Sequence, residues 1–262
     1  MRTAIVPPEA GAASLDAQRS GANHRYKKFQ AVQFIKKATT TSIAAVAAGS
    51  SLLNAGRAVG GADGAFNPGK DRWSVKTSVM TIAPLSAVKP IDIKALEQMP
   101  PPNFGTSKAP FEASRIPAPV NGFLEGQTVS TVGYIHFVMY EKGDSDYHIQ
   151  MNEKPTNSLG DLEPCVIVEV PHPMSAGDQE LHDSFAKVRQ LLREKCFAGA
   201  MPNGKVDVPI KVQVTGQLFY DLHHSSAGDP GGGRGKTLGP GFPMHATTIW
   251  EIHPVTDIKI VP

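Results

Sequence analysis

The stretch DQELHDSFAKVRQLLREKC, residues 178–196, decides how this chain folds. Leu181, Phe185, Val188, Leu191 and Leu192 return every three or four residues, which lays an apolar stripe along one side of a helix. Three strand-like runs stand upstream. QTVSTVGYIHFVMYE (127–141) is rich in β-branched and aromatic residues, with Gly133 marking a bend or bulge. YHIQM (147–151) follows the turn GDSD (143–146), and CVIVEVP (165–171) has the near-continuous apolar run of a buried strand. Two more runs lie downstream. NGKVDVPIKVQVTGQLFYD (203–221) alternates at Val208, Ile210, Val212 and Val214, and ATTIWEIHPVTDIKIV (246–261) ends the chain.

Three strands, a helix and two strands is the element order of an OB-like five-stranded barrel, with the helix between strands three and four. The chain is thus expected to be mainly β, with the barrel over 125–262. The kink in the first strand suits a small barrel, where one strand serves both halves of the sheet. The fifth strand is expected to close beside the first. A small open α+β sheet is the competing reading.

Before the barrel, residues 63–124 read as a Pro-rich extended arm lying along its outside. Nine prolines, from Pro68 to Pro119, forbid a long regular element there. RWSVKTSVMTIA (72–83) reads as an edge strand, IDIKALEQM (91–99) as one or two helical turns, and Pro100-Pro101-Pro102 favours polyproline II.

The charge balance divides the chain. Residues 1–62 hold eight Lys/Arg against two Asp/Glu, and the remainder holds 18 against 22, so the folded part is mildly acidic. That argues against a broad phosphate-binding surface and leaves nucleic acid an unlikely partner. Residues 1–62 read as a signal or targeting segment. HRYKKFQAVQFIKK (24–37) serves as a basic n-region, a weakly apolar stretch follows, and Gly60-Gly61-Ala62 is a small-residue exit that leaves Asp63 first. The apolar stretch is too short and polar for a membrane span, so no transmembrane segment is expected in the mature chain, which would be periplasmic or secreted. Cys165 and Cys196 allow one disulfide in such a compartment, or two free thiols.

Four pieces together resemble a family of exported bacterial proteins of unknown function: RWSVKT (72–77), DYHIQM (146–151), VTGQLFYDLHH (214–224) and WEIHPVTDI (250–258). The similarity spans about 70–262. The longer HHSSAGDPGGGRGK insertion (223–236) and Ile252 in place of Leu depart from the family's pattern. The resemblance implies an OB-like fold and export; it brings no mechanism.

The chemistry-bearing residues are His148, Asp221, His223 or His224, Glu251 and His253. Asp146, His148 and Gln150 share one strand face, as do Glu251 and His253, while Trp250 and Ile252 take the opposite one. If these groups converge, His148, His223 and His253 would suit zinc or another divalent metal, with Glu251 as fourth ligand or general base. A metal-bound water would then serve a hydrolase of the phosphodiesterase type. The alternative is a buried structural network, His148 bonding Asp221 or Glu251 to fix strand register. No ligand spacing such as H-E-x-x-H is present.

PGGGRGKT (230–237) approaches a phosphate-loop pattern but has Pro230 in place of the first glycine and LGPGFP after it, where no helix can start. Arg234 and Lys236 on this loop are candidates to touch an anionic ligand, because OB folds use the loop between strands four and five for contact. Tyr134, Phe137, Tyr140, Tyr147, Phe219 and Tyr220 are the aromatics available for stacking on single-stranded nucleic acid, a number ordinary for a barrel core. His182-Asp183 reads as a solvated helix face, and Ser225 and Ser226 sit too close to the two histidines for a catalytic triad. The expected function is an exported binding or interaction module for an unknown small ligand or protein, with Asp146, His148, Asp221, Arg234, Lys236, Glu251 and His253 facing the ligand. The alternative is a metal-dependent hydrolase built on the His/Glu cluster.

Overall fold

The structure, a computed structural model, describes residues 63–82, 84–103, 111–155, 163–224, 231–234 and 244–262. The signal-like segment and Lys236 lie outside them. The described elements are α1 (Trp73–Lys76), β1 (Lys89–Pro90), α2 (Ile93–Glu97), β2 (Thr128–Tyr140), β3 (Tyr147–Asn152), β4 (Glu163–Val170), α3 (Gln179–Cys196), β5 (Asn203–Tyr220) and β6 (Met244–Ile260).

Strands pair in the order β2-β3-β4-β6-β5, and β5 pairs back onto β2, which closes a five-stranded barrel. The β4–β6 pairing is parallel and the other four are antiparallel. With α3 between β4 and β5, this is an OB-like barrel. The closing contact differs from expectation: β6 lies between β4 and β5, and it is β5 that meets β2. With β4 on one edge of β6 and β5 on the other, no edge is left for β2.

The helix forms where its stripe predicts. Asp178 caps it, its side chain accepting from Leu181 N at 2.8 Å. Phe185, Val188 and Leu192 are buried, the last two within the main core. The bulge in β2 falls at Ile135–Phe137, two residues beyond Gly133. Gly133 is needed for close packing instead. A Cβ there would lie 2.3 Å from Ile93 Cδ1 and 2.8 Å from Asn152 O, so the glycine admits α2 against the sheet. Opposite that bulge the β5 register jumps from Ile210 to Lys205, which takes Val208 out of the alternation and leaves it 76% exposed.

The arm is more than an outer wrapping. Residues 73–76 form a helical turn, so the expected edge strand is absent there, while IDIKALEQM does supply a short helix. Ile91, Ile93, Leu96, Met99 and Ile116 enter the main core, and Trp250 Nε1 donates to Pro100 O at 2.8 Å. Arg72, in a left-handed conformation ahead of α1, pairs with Glu125 in full burial, 2.7 Å apart. Asp63, the expected first residue of a processed chain, rests its carboxylate between Arg189, 3.2 Å away, and Arg193. Cys165 and Cys196 are free thiols. Among the described residues, no helix is long and apolar enough to cross a membrane.

Candidate metal centre

Alternation along β4 and β6 divides the side chains between two faces. Val166, Val168 and Val170 of β4 and Trp250 and Ile252 of β6 turn into the main core. Cys165, Ile167 and Glu169 of β4, with Glu251 and His253 of β6, therefore turn to the other face. Register then sets the neighbours. His148 is opposite Glu169 across β3–β4, and Ile167 is opposite Glu251 across β4–β6, so Glu169 falls level with His253. In an OB-type barrel this wall, flanked by the β2–β3 and β5–β6 loops, is the usual ligand-binding side.

Glu169 is the hub. Its Oε1 accepts a hydrogen bond from His148 Nδ1 at 2.8 Å, and His253 Nδ1 lies 3.0 Å from its Oε2. His253 also lies 3.4 Å from Asp146 Oδ2 through Nε2 and 3.4 Å from Glu251 Oε1 through Nδ1. Its ring stands 5.8 Å from Phe219. These approaches suit ion pairing but lie off the N–H directions. Both ring nitrogens of His253 and both carboxylate oxygens of Asp146 are thus buried without a hydrogen-bond partner. Glu251 is held by Arg234 Nη1 at 2.5 Å, and Arg234 also reaches Asp221 at 3.4 Å. Asp221 in turn pairs with His224.

The arm contributes one more charge. Lys76 Nζ lies 2.6 Å from Asp144, 3.2 Å from Asp146 and 3.9 Å from Glu169. Above the cluster is a cleft of about 440 Å³, lined in part by Lys70, Lys76, Glu141, Asp144, Asp221 and His224.

The titration behaviour follows from crowding acids where water is scarce. Burial lifts Asp146 to about 7 against the pull of His253 and Lys76. Burial and the Lys76 charge would lower His253, but Glu169, Glu251 and Asp146 raise it to about 9. Burial would also raise Glu169, yet His148, His253 and Lys76 hold it well below its ordinary value. His148 is raised, the hydrogen bond and charge of Glu169 outweighing burial. Around the cleft, Asp221 raises His224 and burial raises Glu141.

Two sets of donors have the spacing of cation ligands: Asp146, Glu169 and His253, and Glu141, His148 and Glu169, each with its ligand atoms within 4.8 Å of one another. Carboxylate oxygens with one imidazole suit a divalent first-row ion such as Mn²⁺, Fe²⁺ or Zn²⁺. Of the residues singled out in the sequence, Asp146, His148, Glu251 and His253 come together around Glu169, with Arg234 and Asp221 at the edge. His223 does not join them; it pairs with Glu112 at 2.9 Å on the exposed side, because the turn after β5 sends it away from the wall. Its place is taken by Glu169, whose signal was a lone acid inside the apolar run CVIVEV. Glu141 and Lys76 carried no such signal. Of the six stacking candidates, Phe137, Tyr147, Phe219 and Tyr220 are buried and offer no ring face to a base.

No protein-family model matches the chain, and no curated protein matches it.

Proposed function

We propose that this barrel is a metal-dependent hydrolase that seats a divalent cation on Asp146, Glu169 and His253 and acts on an anionic ester of the phosphodiester class. One observation carries the reading: four nitrogen and oxygen atoms of Asp146 and His253 are buried without a well-aligned hydrogen bond, held only by ion-pair approaches such as the 3.4 Å between His253 Nε2 and Asp146 Oδ2. A network that only fixed register would close its own bonds, since each buried unsatisfied group costs roughly 1–3 kcal/mol. The cation would supply Lewis acidity and a bound water of lowered pKa. It would also reverse the sign of an otherwise acidic cleft floor, which repels an anion. Lys70, on the cleft wall, would steer the ester. His224, paired with Asp221 and lining the cleft, would serve as general acid for the leaving oxygen. The resemblance to exported bacterial proteins and the basic, small-residue-rich leader support a periplasmic or secreted setting.

A passive binding module is the second reading, favoured by Lys76, which already brings a cation within 3.2 Å of Asp146. Chelation, reloading with Mn²⁺ or Zn²⁺ and assay on bis(4-nitrophenyl) phosphate separate the two. The hydrolase reading expects turnover only in reloaded protein. It also expects His224→Ala to lose roughly 10²–10⁴-fold in rate with ion content unchanged. A chain that takes up no ion, and shows no turnover at any loading, is a binding module.

A further inference from the structure

Glu169 belongs to both ligand sets, and its two oxygens serve different partners. Oε1 faces His148 at 2.8 Å and Oε2 faces His253 at 3.0 Å. We infer that the centre is dinuclear: Glu169 bridges two divalent cations, one held by Asp146 and His253, the other by Glu141 and His148. This rests on the cation reading above and goes beyond it in number, ligands and asymmetry.

A carboxylate binding through both oxygens spans ions about 3.5–4 Å apart, the separation found where two metals act on one phosphoryl group. Charge supports the count. Glu141, Asp144, Asp146, Glu169, Asp221 and Glu251 bring six negative charges, against one each on Lys76 and Arg234. With neutral imidazoles four negative charges are left over, or three when Lys70 on the cleft wall is counted, in either case more than one divalent ion balances.

The surroundings of His148 fit a ligand. A ligating imidazole uses one nitrogen for the metal and donates the other N–H to an acceptor that fixes the ring. Gln150 stands beside His148 Nε2, its amide nitrogen 3.5 Å away, and its Oε1 is buried without a partner. Turning that amide over sets Oε1 against Nε2–H and leaves Nδ1, now bonded to Glu169, free for the ion.

The two seats differ in access. Asp146, Glu169 and His253 are all buried, whereas the Glu141 side chain is 37% exposed on the cleft wall. The inner ion is the tightly held one, and the outer ion exchanges and meets the ligand.

Full-length protein stripped by chelation and titrated with Mn²⁺ alone tests this by metal analysis and electron paramagnetic resonance. Two ions per chain and an exchange-coupled spectrum are expected. Glu141→Gln and His148→Ala should each retain one ion with an isolated six-line signal, and Asp146→Asn should lose the inner ion. Glu141→Gln changes a partly exposed group, so it stays informative if His148→Ala misfolds. One uncoupled ion in the wild-type chain overturns the dinuclear inference and leaves the single-cation reading standing. No bound ion overturns both.

Discussion

Two buried ionic sites lie within this one barrel, and they are built on opposite principles. At Arg72 and Glu125 every polar group is engaged. The guanidinium donates to Glu125 through two nitrogens and to the carbonyls of Phe111, Ser114 and Tyr220, and Glu125 also accepts from Ile116 N and Tyr220 N. Around His253 and Asp146 the same degree of burial comes with empty donor and acceptor positions. A saturated pair stabilises one geometry and has nothing left to offer a ligand. An unsaturated cluster costs stability and holds open a place for something else.

Breaking the saturated site should have the largest effect. Arg72→Ala strands the Glu125 carboxylate among apolar groups, and a loss of about 3–5 kcal/mol in unfolding free energy is expected from denaturant titration. The unsaturated site should respond in the opposite sense. Asp146→Asn is expected to leave the ion-free protein as stable as wild type or more so, because it removes a buried charge lacking hydrogen bonds. It should remove the part of the Mn²⁺ stabilisation that comes from the inner ion, about 2.7 kcal/mol in wild type at a hundredfold excess over that ion's Kd. A large loss in ion-free Asp146→Asn would make the two sites alike and remove the contrast.

The smallest effect is a slope with pH. Asp146 is lifted from 3.8 to about 7 and His253 from 6.5 to about 9, so both bind protons more tightly folded than unfolded. For His253 the stabilising proton is fully in place below 6.5 and gone above 9, and for Asp146 the cost of ionisation accumulates between 3.8 and 7. Ion-free stability should therefore fall as pH rises through both windows, by about 1 kcal/mol per pH unit at the steepest for one proton. Glu169, held low, acts in the other direction and costs stability only on acidification below 4.5. Thermal melts across this range, with and without Mn²⁺, check the sign; the ion should flatten the slope because it displaces the protons.

The barrel was readable because its signals are local. The stripe from Leu181 to Leu192 and the β-branched runs each name their own element, and their order names the fold class but not which strand closes on β2. Half of the site was equally readable, since Asp146 and His148, and Glu251 and His253, share faces by simple alternation. What joins them was not. Glu169 looks like one polar interruption until the β4–β6 register sets it beside His253, and register between parallel strands is not written in either strand alone. His223 and His224 were indistinguishable in sequence, because which one faces the wall depends on the turn after β5. Lys76 lay in a segment that read as an edge strand, and only as a helical turn does it point its ammonium into the acids.

Arg72 sets the smallest fragment that can fold. A chain trimmed to begin at Glu125, just ahead of β2, would keep every rung of the cylinder yet bury that carboxylate beside a hole where the guanidinium had been. The arm is thus the barrel's counterion as much as its leader, and any shuffling of this module into another protein must carry the strap along with the drum.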